Sequence, residues 1–240
     1  APTISIEIIN FFSYDYFFIS SSIASIIAFF IALSINVKNS IVDERKNGQN
    51  FTQLLKNKKL KIVCFIMFLV GGSFLTCLNF AAVFTKSINV LPITIFFLSY
   101  TVIALIMRIF FGWLPDKYGQ VTFCKPALIL YGLSIGILGL SINYISVMSA
   151  GILFGISHAL VYPSIYTLAL RFTDISNKSK AFSICSVSFT FGGMIFSIIY
   201  GLIAETYSFK VMFLSCSIIV TLGFYCLIKL LEKEILNEYR

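Results

Sequence analysis

The fold class that the sequence predicts is all-α: a polytopic membrane helix bundle. Composition is the first of three observations behind it. Hydrophobic residues make up 58% of the 240, charged residues 12%, and the mean hydropathy is +0.94, against roughly 45–50% apolar and 25% charged in soluble domains. The second is length. Uncharged runs cover residues 16–37, 62–85, 87–107, 126–170, 181–204 and 211–228, each at or above the ~18 residues that read as a spanning helix. The third is the placement of bases. With the 38–61 connection on one side, Lys38, Arg45, Lys46, Lys56, Lys58, Lys59, Lys61, Lys117, Lys125, Arg171, Lys178, Lys180, Lys229, Lys233 and Arg240 fall on one face, and only Lys86 and Lys210 on the other. Cytoplasmic loops are enriched in Lys and Arg, so the basic face is expected to be cytoplasmic. The net charge of +8 then reports topology and contact with anionic lipid, and excludes a nucleic-acid footprint.

In chain order, residues 1–36 hold an apolar segment with Glu7 and then a complete span. Residues 37–60 are the longest hydrophilic connection, rich in Asn, Lys and Gly, and read as a cytoplasmic linker with a short surface helix near Phe51 to Leu55. The run from Pro126 to Leu170 is long enough to cross twice, with Ser141 to Tyr144 as its turn. That makes seven complete spans, six of them within residues 61–231, followed by a cytoplasmic tail at 232–240. A weak internal match lays Ser13 to Ile19 over Ser208 to Leu214. Under parallel-repeat logic residues 1–36 are the end of a first half, of which roughly 135 residues are missing. A start at Ala1 rather than Met fits a truncated chain.

Cys64, Cys77, Cys185, Cys216 and Cys226 lie in apolar spans and Cys124 at a span's start, without CxxC spacing. They read as small packing residues, and neither metal nor cofactor is expected. Trp113, Tyr14, Tyr16 and Tyr144 suit interfacial belts. Gly132-x-x-x-Gly136 and Gly151-x-x-x-Gly155 suit close helix packing.

One polar stretch interrupts the apolar chain: RIFFGWLPDKYGQ, residues 108–120. Gly112 is expected to let helices approach, Pro115 to end a span, and Gly119 to supply a turn conformation costly for other residues. Asp116 at a membrane edge needs a donor, with Arg108 or a helix N-terminus as candidates. The pattern Arg108-x-x-x-Gly112-x-x-x-Asp116-Lys117-x-Gly119 resembles the G-x-x-x-D-[RK]-x-G loop of the major facilitator superfamily (MFS), between the second and third helices of a six-helix half. Gly155-Ile-Ser-His-Ala-Leu-Val-Tyr-Pro163 with the Asp174 to Lys180 loop resembles the tenth helix and its exit in bacterial drug- and sugar-efflux members. Gly192-Gly193 with Gly201 resembles the eleventh. The chain departs from the pattern where Gln120-Val121 replace the usual basic pair. The resemblance implies the outer part of helix 5 followed by helices 6 to 12, a bacterial inner-membrane protein, and a conformational latch at Arg108, Gly112, Asp116, Lys117 and Gly119.

Polar side chains inside spans are expensive in lipid and mark candidate solute positions: Asn79, Tyr100, Ser157, His158, Tyr162, Ser186 and Thr190. The resemblance implies that their helices line a central cavity. His158, the sole histidine, is either a proton-coupling site or a hydrogen-bonded packing residue. Pro163 frees a carbonyl near Ala159 and bends the helix, which suits gating. The function expected is secondary active transport of a small solute by alternating access with proton coupling. The alternative is a non-transporting protein derived from a transporter. An enzyme is not expected, since acids are scattered singly beside one histidine, and no G-x-x-x-x-G-K-[ST] loop supports a nucleotide-driven pump.

Overall fold

The computed structural model describes residues 14–34 and 51–236. Glu7, the bases at 38, 45, 46 and 240, most of the linker, and the side chains of Tyr14 and Asp116 lie outside the described residues. The chain divides into two compact units, residues 1–46 and 47–240.

In the first unit, α1 (Tyr14–Ser34) is apolar all round and exposes Phe18, Ile23, Ile27 and Phe30. A helix of that kind needs an apolar surround. Its serines do not disturb this, because Ser22 and Ser25 donate back to the carbonyls of Phe18 and Ser21 at 2.9 Å.

The second unit contains α2 (Phe51–Leu54), α3 (Lys58–Ser87), α4 (Ile95–Phe111), α5 (Leu114–Tyr118), α6 (Gln120–Gly139), α7 (Tyr144–Arg171), a 3-10 turn (Ile175–Asn177), α8 (Lys178–Thr206) and α9 (Phe209–Leu236). No strand occurs among the described residues. The long helices form two rows, α4–α7–α6 and α8–α3–α9. The rows join where α9 meets α6 and α3 meets α7. Phe96, Tyr131, Phe154, Phe213 and Phe224 fill the centre, each no more than 1% exposed.

Among the described residues, five helices are long and apolar enough to cross a membrane, and two shorter apolar ones, Phe18–Ser34 and Ile95–Phe111, accompany them. The run expected to span at 87–107 is displaced. Asn89 adopts a φ of 56° and Pro92 follows it, so residues 88–94 form a turn and the helix starts at Ile95, taking in Arg108. Its 17 residues rise about 25 Å, a little less than a ~30 Å hydrocarbon core. The turn expected at 141–144 is observed, since Asn143 caps α7. Its side chain accepts from Ser146 N at 2.9 Å and Ser146 Oγ accepts from Asn143 N at 3.1 Å.

Helix α3 begins through a second cap. Asn57 accepts from the amides of Lys59 and Leu60, while its Nδ2 donates to the Phe172 carbonyl at 2.9 Å. This ties the start of α3 to the end of α7. At the same end, Arg171 donates to Gln120 at 2.7 Å and Lys125 pairs with Glu232. Phe84 and Phe209 meet at the opposite end of α3, near Lys86 and Lys210. The described bases are therefore sorted to the two ends of the bundle as the sequence implies.

Small residues set the closest helix contact. A Cβ on Gly71 would stand 2.7 Å from Phe189 Cα, and one on Gly192 would stand 3.0 Å from Phe68 Cα. Helices α3 and α8 thus touch backbone to backbone. Lipid tails provide no hydrophobic drive for helix association, so such dispersion contacts carry the packing.

Candidate functional site

Most of the polar positions singled out in the sequence fall into one connected series. Tyr100 of α4 meets the His158 ring of α7 edge-on at 5.9 Å, and His158 lies 5.6 Å from the ring of Tyr162. One turn on, Tyr162 Oη donates to Tyr166 Oη at 3.4 Å, and Tyr166 lies 3.0 Å from Ser186 Oγ of α8. Ser186 already donates to the Phe182 carbonyl at 3.0 Å, so Tyr166 is the donor between the two hydroxyls. Thr190 closes the series by donating to the Ser186 carbonyl at 3.1 Å.

His158 is 4% exposed and stacked face to face on Phe74, with ring centres 4.5 Å apart. Its Nδ1 has no partner among the described residues. Phe74, Tyr100, Tyr131, Phe154 and Tyr162 surround the imidazole and screen it from bulk solvent.

Two positions stand apart from the series. Ser157 is fully buried, and its hydroxyl returns to the carbonyls of Leu153 and Phe154 at 2.9 and 3.0 Å. Asn79 of α3 is exposed and donates to Ser197 Oγ of α8 at 2.9 Å.

The sequence reading passed over Tyr166 and Ser197, and a periodicity would have found both. Tyr166 follows Tyr162 by one helical turn. Ser186, Thr190 and Ser197 are spaced i, i+4, i+11, which puts them within about 40° of one another around a helix. Gly193 lies on that stripe as well. Beside it, Ser186, Val187, Thr190, Phe191 and Met194 line an open groove of about 360 Å³.

The 108–120 stretch differs in part from expectation. Arg108 is exposed near the end of α4. Among the described residues no other helix approaches Gly112 most closely: the atoms nearest to a Cβ there belong to Arg108 of its own helix, and Gly112 caps α4 in the αR region. Pro115 opens α5 rather than ending α4, a position in the first turn where its missing N–H costs nothing. Gly119 has φ +93°, the conformation expected of it. Lys117 lies over the rings of Trp113 and Tyr118, 5.1 and 5.4 Å from their centres, and Trp113 donates to the Phe110 carbonyl at 2.9 Å. Gln120, at the departure from the family pattern, is 5% exposed and receives Arg171. Its amide therefore anchors α6 to α7.

Five of the six cysteines pack as the sequence suggests, and Cys226 does not. Five are buried, Cys226 is exposed, and Cys64 and Cys185 approach to 3.8 Å across the α3–α8 contact. Among the described residues no cluster of three or more His, Cys, Asp or Glu could hold a metal.

An apolar multi-pass helix bundle with cross-helix polar contacts inside it is the architecture of a multi-pass membrane protein. The family model of the Major Facilitator Superfamily matches residues 1–169 and 83–238, so the chain belongs to that superfamily. No curated protein matches it.

Proposed function

We propose that this chain is part of a secondary active transporter that moves a small solute by alternating access. In this reading residues 61–231 form the complete C-terminal six-helix half, residues 1–36 end an N-terminal half, and 37–60 link them. The basic end of the bundle faces the cytoplasm of a bacterial cell. The observation that carries the reading is the polar stripe of α8, Ser186, Thr190 and Ser197, in which Ser186 meets Tyr166 of α7 and Ser197 meets Asn79 of α3, while the Thr190 hydroxyl between them donates to the Ser186 carbonyl of its own helix. Such groups are costly in a lipid-facing wall and repay their desolvation along a solute path.

Solute contacts are assigned to Asn79, Tyr162, Ser186 and Thr190 with Tyr166 and Ser197, while Tyr100 and His158 form the wall behind them. Proton coupling runs through His158 only in a conformation that opens its aromatic enclosure. Asp116, with Arg108, Lys117 and Gly119, is the latch that holds the basic end closed. The test is solute flux in vesicles containing the full-length protein, with and without a pH gradient. Tyr166→Phe and Asn79→Ala are expected to lower flux at least tenfold, His158→Gln to remove its pH dependence, and Asp116→Asn to change the distribution of conformations. Wild-type flux in both Tyr166→Phe and Asn79→Ala would rule out the stripe as the path.

A further inference from the structure

Arg108 stands where an arginine is costly. It lies in the last turn of α4, and the chain stays apolar beyond it: Ile109, Phe110, Phe111 and Trp113 are 64, 63, 42 and 51% exposed. Trp113 suits the membrane interface, so Arg108 is on the hydrocarbon side of that level. An ionised side chain at such a depth calls for a partner. No carboxylate among the described residues pairs with it.

The helix sets where the guanidinium goes. At about 100° per residue, Arg108 is about 80° round the axis from Tyr100, with the buried Ala104 between them. The exposed apolar stripe of α4, made of Leu98, Val102, Leu105 and Ile109, is centred about 170° from Tyr100. Arg108 thus occupies the flank between that stripe and Tyr100. Helical side chains lean toward the N-terminus, which carries its head back toward Tyr100. Its charge is felt at both Tyr100 and His158, the two rings that meet edge-on between α4 and α7.

We propose that Arg108 binds the anionic end of the transported solute, which is a small organic anion bearing a carboxylate or a phosphate monoester. The proposal rests on the transport reading above. A planar guanidinium can hold two oxygens of such a group at once. With Tyr100 two turns deeper, the solute lies with its charged end toward the basic end of the bundle. Asp116 of the latch and the solute then compete for one guanidinium.

The experiment uses the full-length protein and three pairs of probes that differ in charge: lactate and lactamide, succinate and succinamide, glycerol phosphate and glycerol. Uptake of each radiolabelled probe into phosphatidylcholine vesicles is measured above that of protein-free vesicles. The shift in melting temperature that each probe causes is measured in detergent. At least one anion should enter about tenfold or more faster than its neutral twin, the order expected for hydrogen bonds to a charged group, and should raise the melting temperature. Arg108→Gln should bring the twins level without changing the melting of the unliganded protein. Arg108→Lys, which offers charge without the planar fork, should keep part of the preference, and Asp116→Asn should keep all of it. Arg108-dependent stabilisation by an anion that is not taken up would support the site and end the transport reading. Uptake of neutral and anionic twins at equal rates would leave transport standing and overturn the anion site. A preference undiminished in Arg108→Gln would overturn it too, as for a guanidinium serving only a lipid phosphate or the helix end. So would a preference lost equally in Asp116→Asn, as for one serving only the latch, and so would three pairs that neither enter nor stabilise.

Discussion

Replacing Gly192 by alanine adds one methyl group where α3 and α8 touch. That Cβ would stand 2.8 Å from the Phe68 carbonyl carbon and 3.0 Å from its Cα, with the carbonyl oxygen nearer still. All three are backbone atoms, which cannot swing aside as a side chain can. Restoring ordinary contact requires the helix axes to separate by roughly 1 Å, and forced overpacking of this kind costs about 1–3 kcal/mol. Alanine returns ~1 kcal/mol through its higher helix propensity, which leaves a net loss of up to about 2 kcal/mol. For a domain of 150–250 residues that is a fall in Tm of up to roughly 8 °C. Gly201→Ala is the internal control, since its added Cβ would meet only the ring tip of Phe80 at 3.4 Å. It should melt at or above the wild-type temperature. Thermal unfolding of the full-length protein in detergent, followed by near-ultraviolet circular dichroism, measures both. If Gly192→Ala melts no lower than Gly201→Ala, the backbone contact between α3 and α8 is not as described.

Three further outcomes follow from the packing. Asn57→Ala removes the α3 cap and the bond to Phe172, and should cost about 1–2 kcal/mol in the same melting assay. Asn57→Asp keeps the acceptor and should lose less. Glu232→Gln removes the partner of Lys125 at a site 36–40% exposed, where an ion pair contributes at most about 1 kcal/mol. Any shift should vanish in 0.5 M salt. Under a mild oxidant Cys64 and Cys185, 3.8 Å apart, should form the first disulfide, read by peptide mapping and absent in Cys185→Ser. A first bridge involving Cys226 would contradict the α3–α8 register.

The spans and the sorting of bases were legible because lipid leaves few choices. A run of some twenty apolar residues must close its backbone hydrogen bonds as a helix, and charges collect at the ends. The displacement of α4 to Ile95 was less legible, because no charge interrupts residues 87–94 and only Asn89 and Pro92 mark the break. Gly112 misled for a related reason. A glycine near a helix end serves the cap or a neighbouring helix, and local spacing does not tell them apart. At the candidate site, Tyr162, Ser186 and Thr190 were found as polar groups in apolar runs. Ser157 carries the same signal, yet it is fully buried and bonds only its own helix, whereas Ser186 bonds its own helix and also meets Tyr166 of α7. Whether a serine faces a neighbour or its own backbone depends on helix rotation, which packing sets.

The groove beside the Ser186–Thr190 stripe and the groove beside Phe65 share Val187 and Phe191 as lining residues. A wall one side chain thick thus separates the two grooves, so a change on one side alters the surface presented on the other. Substitutions at Val187 or Phe191 reshape both grooves at once. Thr190 and Lys61 each line only one of the two, and they are the positions at which the grooves can be perturbed apart.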